Sequence, residues 1–400
     1  MDSERGRQGP GFGAFAAAAF FLTLPAAATA GAMAMAALQA ASGVLATPFR
    51  SLRPRSALNW AFLLSLVAFV AYVAASALWS PYPNHAQAGR LAGGVICGLL
   101  FAAGASADEG GRRLTRAVGA AAVLLLVLML LGEAFADMPL NRLGQPHTET
   151  GLLMRNPARG ASVLVCVLWG PIAALAGGSG LQRLVWRAIA LGGAIVAFEF
   201  DQSANTIGFG LGLVAYLIGY AAPRFAIMSL CGGLAAWLLA APWVILHAPV
   251  PPNVLAKLPD SWAIRTEIWH FASTQIAAHP LLGLGLDAAR TFPQTAHLRG
   301  LTFNLIPLHP HSASLQIWLE TGAVGAVLGA ICLLVGGAAL SSALRHDRFA
   351  AAASAAVLGS TGLIANVSYG AWQEWWVATA FASAALVAAS RRQADLEADQ

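Results

Sequence analysis

Apolar runs recur along this chain at the length of about 17 to 25 residues that a helix needs to cross about 30 Å of hydrocarbon. They predict twelve crossings, at 12–30, 32–48, 57–78, 91–107, 117–136, 160–177, 185–200, 203–220, 225–246, 311–339, 349–367 and 372–390. One stretch breaks the rhythm: the 64 residues from His247 to Pro310 are mixed and polar. The chain therefore divides into helices one to nine (1–246), a loop with amphipathic helices (247–310), and helices ten to twelve with a tail (311–400). The fold class expected is all-α, a polytopic membrane protein of about twelve transmembrane helices with one large loop.

Composition agrees with that pattern. Hydrophobic residues make up 58% and charged residues 10%, far below the roughly 25% charged content of soluble domains. The net charge of +5 is almost all arginine, Lys257 being the only lysine. Arg5, Arg7, Arg50, Arg53, Arg55, Arg112, Arg113, Arg116, Arg183, Arg187, Arg224, Arg345, Arg348, Arg391 and Arg392 fall in one alternating set of connectors and tails. The other set holds the remaining eight basic residues despite its greater length. Cationic loops stay on the cytoplasmic side, so the charge excess reads as topology and not as a nucleic-acid surface. Both termini are then cytoplasmic, and the 137–159 and 247–310 segments face outward. Arg5, Arg7 and the P-A-A-A-T-A-G-A string from Pro25 imitate a cleavable signal peptide; an uncleaved first helix is the expectation. Cys97, Cys166, Cys231 and Cys332 all fall inside apolar runs, with neither disulfide nor metal-ligand spacing.

Chemistry has few places to sit, and the polar residues gather at the outward boundary. A helix is predicted from Asp260 or Ser261 to His279-Pro280, with Trp262, Trp269, Ala272 and Ile276 on one stripe. Arg265 shares that stripe, either as a snorkelling side chain over apolar surface or as an anion clamp for phosphate oxygens. The glycines of H-P-L-L-G-L-G-L (His279 to Leu286) mark a turn that permits close backbone approach. His311 opens the tenth crossing, where helical spacing places it on the face of Leu315, Trp318 and Gly322 and opposite Glu320. It is either an interfacial polar residue or a general base whose pKa suits neutral pH without tuning; His309 competes with it. Glu199 to Asn205, reading E-F-D-Q-S-A-N, is either a tight turn or a polar cavity lining. Arg155 and Arg159 stand at the outer start of the sixth crossing, facing lipid headgroups or a substrate phosphate.

The chain shows no D-x-D pair, Walker loop, H-E-x-x-H or G-x-S-x-G. An outward-facing enzyme has no nucleotide-activated sugars at hand, so its substrate must arrive activated, as a lipid diphosphate does. R-T-E-I-W (Arg265 to Trp269), H-P-L-L-G-L-G-L, H-S-A-S-L-Q-I-W-L-E-T-G-A-V-G (His311 to Gly325) and, more weakly, R-N-P-A-R-G-A (Arg155 to Ala161) follow one another in this order. In that order they resemble the O-antigen ligase / O-antigen polymerase superfamily. The resemblance implies a metal-independent, inverting glycosyltransferase of the bacterial inner membrane that needs no cofactor and works on the periplasmic side. Its donor is then a glycan on undecaprenyl diphosphate and, for a ligase, its acceptor is a sugar hydroxyl of lipid A–core. By residue matching, His311 takes the place of the family's loop histidine and Arg265 that of its loop arginine. Where the family commonly has a Ser-Arg pair, this chain reads Ser203-Ala204-Asn205. A second arginine must then come from Arg159, Arg155 or Arg290, with His309 and Asn205 as further substrate contacts. Polymerisation of repeat units on the same carrier is the alternative activity. Transport of the lipid-linked glycan is the alternative of another class.

Overall fold

The computed structural model describes residues 11–29, 31–46, 56–105, 109–200 and 202–391. Arg5, Arg7, Arg50, Arg53, Arg55, Asp201, Arg392 and the acidic end Asp395 to Gln400 lie outside the described residues. The elements run α1 (Gly11–Ala26), α2 (Ala32–Ala46), α3 (Ala57–Ala75), α4 (Ala86–Gly104), α5 (Glu109–Phe135), then the short α6 (Pro139–Gly144) and α7 (Thr150–Leu153). They continue with α8 (Arg155–Val167), α9 (Trp169–Leu175), α10 (Gly180–Phe198), α11 (Ser203–Ala221), α12 (Pro223–His247), α13 (Pro252–Leu255) and α14 (Asp260–Ala278). A two-stranded hairpin, β1 (Thr295–Leu298) and β2 (Leu301–Asn304), precedes α15 (Ala313–Ala343), α16 (Arg348–Val367) and α17 (Glu374–Ser390). Helices dominate for a physical reason: in hydrocarbon every backbone N–H and C=O must find its partner inside its own segment.

Among the described residues, eight helices are long and apolar enough to cross a membrane: α3, α4, α5, α10, α11, α12, α15 and α16. The pair ending in α8 and α9, bent by 41°, makes a ninth if counted as one span. Twelve crossings were expected, and the other three ranges fall on α1, α2 and α17, of 16, 15 and 17 residues. At 1.5 Å per residue these reach roughly 22 to 26 Å, short of the hydrocarbon thickness. Each packs one face against the bundle: α1 against α5, α2 against α4, and α17 against α4, α8 and α9. Phe20 and Leu24 on α1 and most of α17 are buried. Close packing elsewhere uses small side chains, as lipid-embedded helices do. A Cβ on Gly219 of α11 would stand 2.9 Å from the Ala352 Cα of α16, so those two helices run in near-contact.

Alternate connectors meet at one end of the bundle. There Ser80 donates to the Leu286 carbonyl (2.7 Å), Asn141 to that of Ala28 (3.1 Å), and Gln87 to that of Trp372 (2.9 Å). The Trp262 indole donates to Ser203 (2.6 Å), tying α14 to the start of α11. At the far end, Arg391 donates to the Ala343 carbonyl (2.9 Å), where α15 and α17 finish. The arginine-bearing connectors at 176–183, 222–224 and 344–348 belong to that far end by helix direction.

Helix α14 begins at Asp260, as predicted, with Pro259 at its N-cap position and Asp260 paired with Arg299 (2.7 Å). One local expectation needs correction. Helix α15 starts at Ala313 with Ser312 as N-cap, so His311 precedes the helix and the same-face argument for it does not apply. The β-hairpin was not anticipated. Its turn, Arg299-Gly300, has φ of 52° and 78°, the doubly left-handed geometry that suits a two-residue hairpin.

Candidate active site

The site rests on a broken helix. Inside α15, Gly322 has φ 61° and ψ −161°, a conformation essentially restricted to glycine, and the helical ladder stops there. The freed groups on both sides are taken up by the Pro280–Gly285 turn. Leu284 and Gly285 donate to the Leu319 and Glu320 carbonyls (2.9 and 2.7 Å), while Ala323 and Val324 donate to those of Pro280 and Leu281 (2.8 and 3.3 Å). A Cβ on Gly283 (φ 66°) would stand 2.6 Å from the Thr321 backbone nitrogen. The glycines thus admit backbone against backbone, a structural use of the close approach the sequence suggested. Glu320 is fully buried and accepts from the Asp287 N–H (2.9 Å), the Gln316 amide (3.1 Å) and the Trp372 indole (2.7 Å). It does not bond His311; it clamps the glycine turn and the α16–α17 connector onto α15.

That clamp orients two histidines just ahead of α15. His311 has φ 52°, a left-handed conformation costing about 1–2 kcal/mol in a non-glycine residue. Two contacts hold it there. Its N–H donates to His309 Nδ1 (3.1 Å), and its own Nδ1 lies 2.8 Å from the Ser368 carbonyl. A carbonyl only accepts, so His311 Nδ1 carries the proton and Nε2 keeps its lone pair in the neutral ring. Burial, opposed by the Ser368 bond and joined by the Arg265 charge, lowers the His311 pKa from its usual 6.5. The imidazole is therefore neutral at pH 7, with Nε2 free to act as a base.

His309 is differently placed. Because Nδ1 accepts from His311, the proton of neutral His309 sits on Nε2, 3.1 Å from the Gln373 amide. A half-turn of that amide presents Gln373 Oε1, otherwise buried without a partner, to this proton. Burial and the neighbouring His311 and Arg290 push the His309 pKa down to about 3. His309 thus serves as a neutral prop, its ring centroid 4.7 Å from that of His311.

Around these rings the other polar side chains fall into two groups. The half-buried Arg265 lies over the Trp262 ring, 5.5 Å from its centroid, and its charge acts on both His311 and Tyr369. Arg159 acts on Tyr369 as well. Burial pushes the Tyr369 hydroxyl up to about 12, against the pull of its Ser162 bond and the two arginines. Tyr369 and Ser162 are 2.9 Å apart, and Ser162 donates to Asn205 (2.7 Å). Asn205 is fully buried with its amide spent there and on the Ala158 carbonyl (3.3 Å). The second group lines a cavity of about 240 Å³ that includes Arg159, Arg290, His309, Gln373 and Glu374. Arg290 is ion-paired to Asp287 (3.1 Å). Arg265 and His311 are not among the lining residues, and the exposed Arg155 is outside it too. No group of three or more His, Cys, Asp or Glu among the described residues has a metal-holding arrangement.

Sequence reasoning missed Ser368, Tyr369, Gln373 and Trp372, all in the α16–α17 connector. The available signal was S-Y-G-A-W-Q-E-W-W, a polar-aromatic cluster at the same boundary as His311. Comparison with known proteins bears on the same region. Residues 188–330 match the family described as O-antigen ligase. This chain resembles the O-antigen ligases. The matched stretch contains Arg265, Arg290, His309 and His311, while Arg159 and the α16–α17 connector lie outside it. A Rickettsia conorii protein named "Putative polysaccharide ligase" is 31% identical over 188 residues, 45% of this chain and 44% of that one. A Rickettsia typhi protein of the same name is 26% identical over 264 residues, 64% and 62% respectively. The matches thus span about half to three-fifths of those relatives' lengths.

Proposed function

We propose that this protein is a glycosyltransferase that moves a glycan from undecaprenyl diphosphate to a sugar hydroxyl of lipid A–core, at the periplasmic face of the bacterial inner membrane. The arginine-rich connectors then face the cytoplasm and the histidine end faces outward. The observation that carries the reading is the fixed tautomer of His311: Nδ1 bound to the Ser368 carbonyl, Nε2 free, and Arg265 close enough to shift its pKa.

In the proposed step the acceptor hydroxyl oxygen attacks the anomeric carbon from the face opposite the diphosphate, and its proton passes to His311 Nε2. The bond from anomeric carbon to phosphate oxygen breaks, and the diphosphate leaves with the electron pair. Arg265 and Arg159 hold its oxygens and stabilise the growing charge, the half-buried Arg265 more effectively than the exposed Arg159. One direct displacement inverts the anomeric centre. Arg290 is the less suited helper because Asp287 already neutralises it.

The decisive experiment uses purified protein in detergent with a polyprenyl-diphosphate glycan and lipid A–core, products being read by mass spectrometry. Glycan attached to lipid A–core supports ligation. Lengthened glycan still on the carrier would replace it with polymerisation, and an absence of any new bond would favour transport.

A further inference from the structure

A second groove, about 600 Å³ in volume, runs between α2, α4 and α17. Its walls are small and apolar: Ala36 and Ala40 on α2, Gly94 and Cys97 on α4, Ala378 and Phe381 on α17. Its mouth is polar. Arg90 and Glu374 pair there at 2.9 Å, and Trp372 and Glu374 line both this groove and the histidine-side cavity. The two spaces therefore adjoin across those two side chains. Gln39 is the anomaly. It lines the groove and is 2% exposed, yet both atoms of its amide are buried without a hydrogen-bond partner among the described residues. Burying an unpaired amide is costly, and a hydrogen-bonding ligand in the groove would offset that cost. Helix α2 starts at the histidine end, so Gln39, seven residues in, lies about 10 Å along it.

We propose that this groove binds the acyl chains of a glycolipid acceptor, with Gln39 hydrogen-bonding an ester, amide or hydroxyl group near the top of those chains. A polyprenyl chain fits the groove's apolar walls but offers Gln39 nothing to bond. An acylated lipid offers carbonyls and hydroxyls at about that depth. The inference rests on the ligation reading, since it assigns the acceptor's entry beside that site.

The test is photocrosslinking of the full-length protein with a lipid A analogue bearing a diazirine in one acyl chain, mapped by mass spectrometry. Labelling is expected on 36–40 and 93–98, competed by unlabelled lipid A and not by undecaprenyl phosphate. Gln39→Leu should weaken binding by roughly 3- to 10-fold, the range of one hydrogen bond. The same variant should raise thermal stability in lipid-free detergent, because it removes the unpaired amide. Gly94→Phe, whose new side chain meets nothing within 4 Å at Cβ, should fill the groove and abolish labelling. Competition by undecaprenyl phosphate with no effect of Gln39→Leu, or labelling elsewhere, overturns the proposal. The readout needs no turnover, so a His311→Asn protein should still crosslink. Lost transfer with misplaced labelling condemns the groove alone; correct labelling with transfer intact in His311→Asn condemns the mechanism alone.

Discussion

His311 is asked to be neutral, oriented and basic at once, and three separate contacts supply these properties. The Ser368 carbonyl sets the tautomer, the His309 ring holds the left-handed backbone, and burial with Arg265 keeps the ring unprotonated. His311→Asn retains a residue type that tolerates the left-handed region while removing the base. It should lower transfer by roughly 10²- to 10⁴-fold, with expression and thermal stability close to wild type. Equal activity in the two proteins would remove His311 from the chemistry. A depressed base pKa also fixes the pH profile: kcat/KM should stay level through neutrality and fall only on the acid side of 6.5. Stability has its own pH window. His309 titrates at about 3 when folded and at the ordinary 6.5 when unfolded, so between those values the unfolded chain binds the extra proton. Melting temperature should thus be flat above about pH 6.5 and fall progressively toward pH 3, which a detergent-phase melting series reads directly. His309→Gln should make that slope shallower, leaving the share that His311, also lowered, contributes.

Helix α15 owes its shape to a few backbone contacts with the glycine turn, and those contacts carry the histidines. Gly322→Ala puts a Cβ against the Leu281 carbonyl at a φ that L residues avoid. It should cost at least about 1–2 kcal/mol from conformation alone, before any displacement of the turn, and appear as a lowered melting temperature with lowered activity. Glu320 acts at the same scale. Replacing it with Ala leaves the Asp287 N–H, the Gln316 amide and the Trp372 indole without their acceptor. Each orphaned buried donor costs about 1–3 kcal/mol, so Glu320→Ala should be poorly folded, and melting should distinguish it from a purely catalytic lesion. Helix α14 contributes differently: it leans on Ser203 through Trp262 and holds Arg265 within electrostatic reach of His311 and Tyr369.

Across the whole molecule, the alternation of charged and uncharged connectors makes a directional statement that labelling can check. In a protein carrying one introduced cysteine and no native ones, His297→Cys should react with an impermeant maleimide from the periplasmic side, and Arg345→Cys only after the membrane is opened. The reverse pattern would place the histidine end in the cytoplasm and sink the lipid-diphosphate reading.

The helical segments were legible in the sequence because apolarity is a property of a segment by itself, and a long enough apolar run favours a helix whatever it packs against. Their number was less legible, since α1, α2 and α17 are as apolar as the others but short. The candidate site divides in the same way. Arg265, His309 and His311 could be named from their local strings, yet Ser368 lies 57 residues from His311 and Tyr369 lies 207 from Ser162. Only the tertiary structure decided which imidazole nitrogen is free, that Glu320 clamps and Asn205 braces, and that Gln39 faces a groove. Each of these is set by where distant segments meet, and hydrophobic periodicity constrains the direction and depth of a helix but not its neighbours.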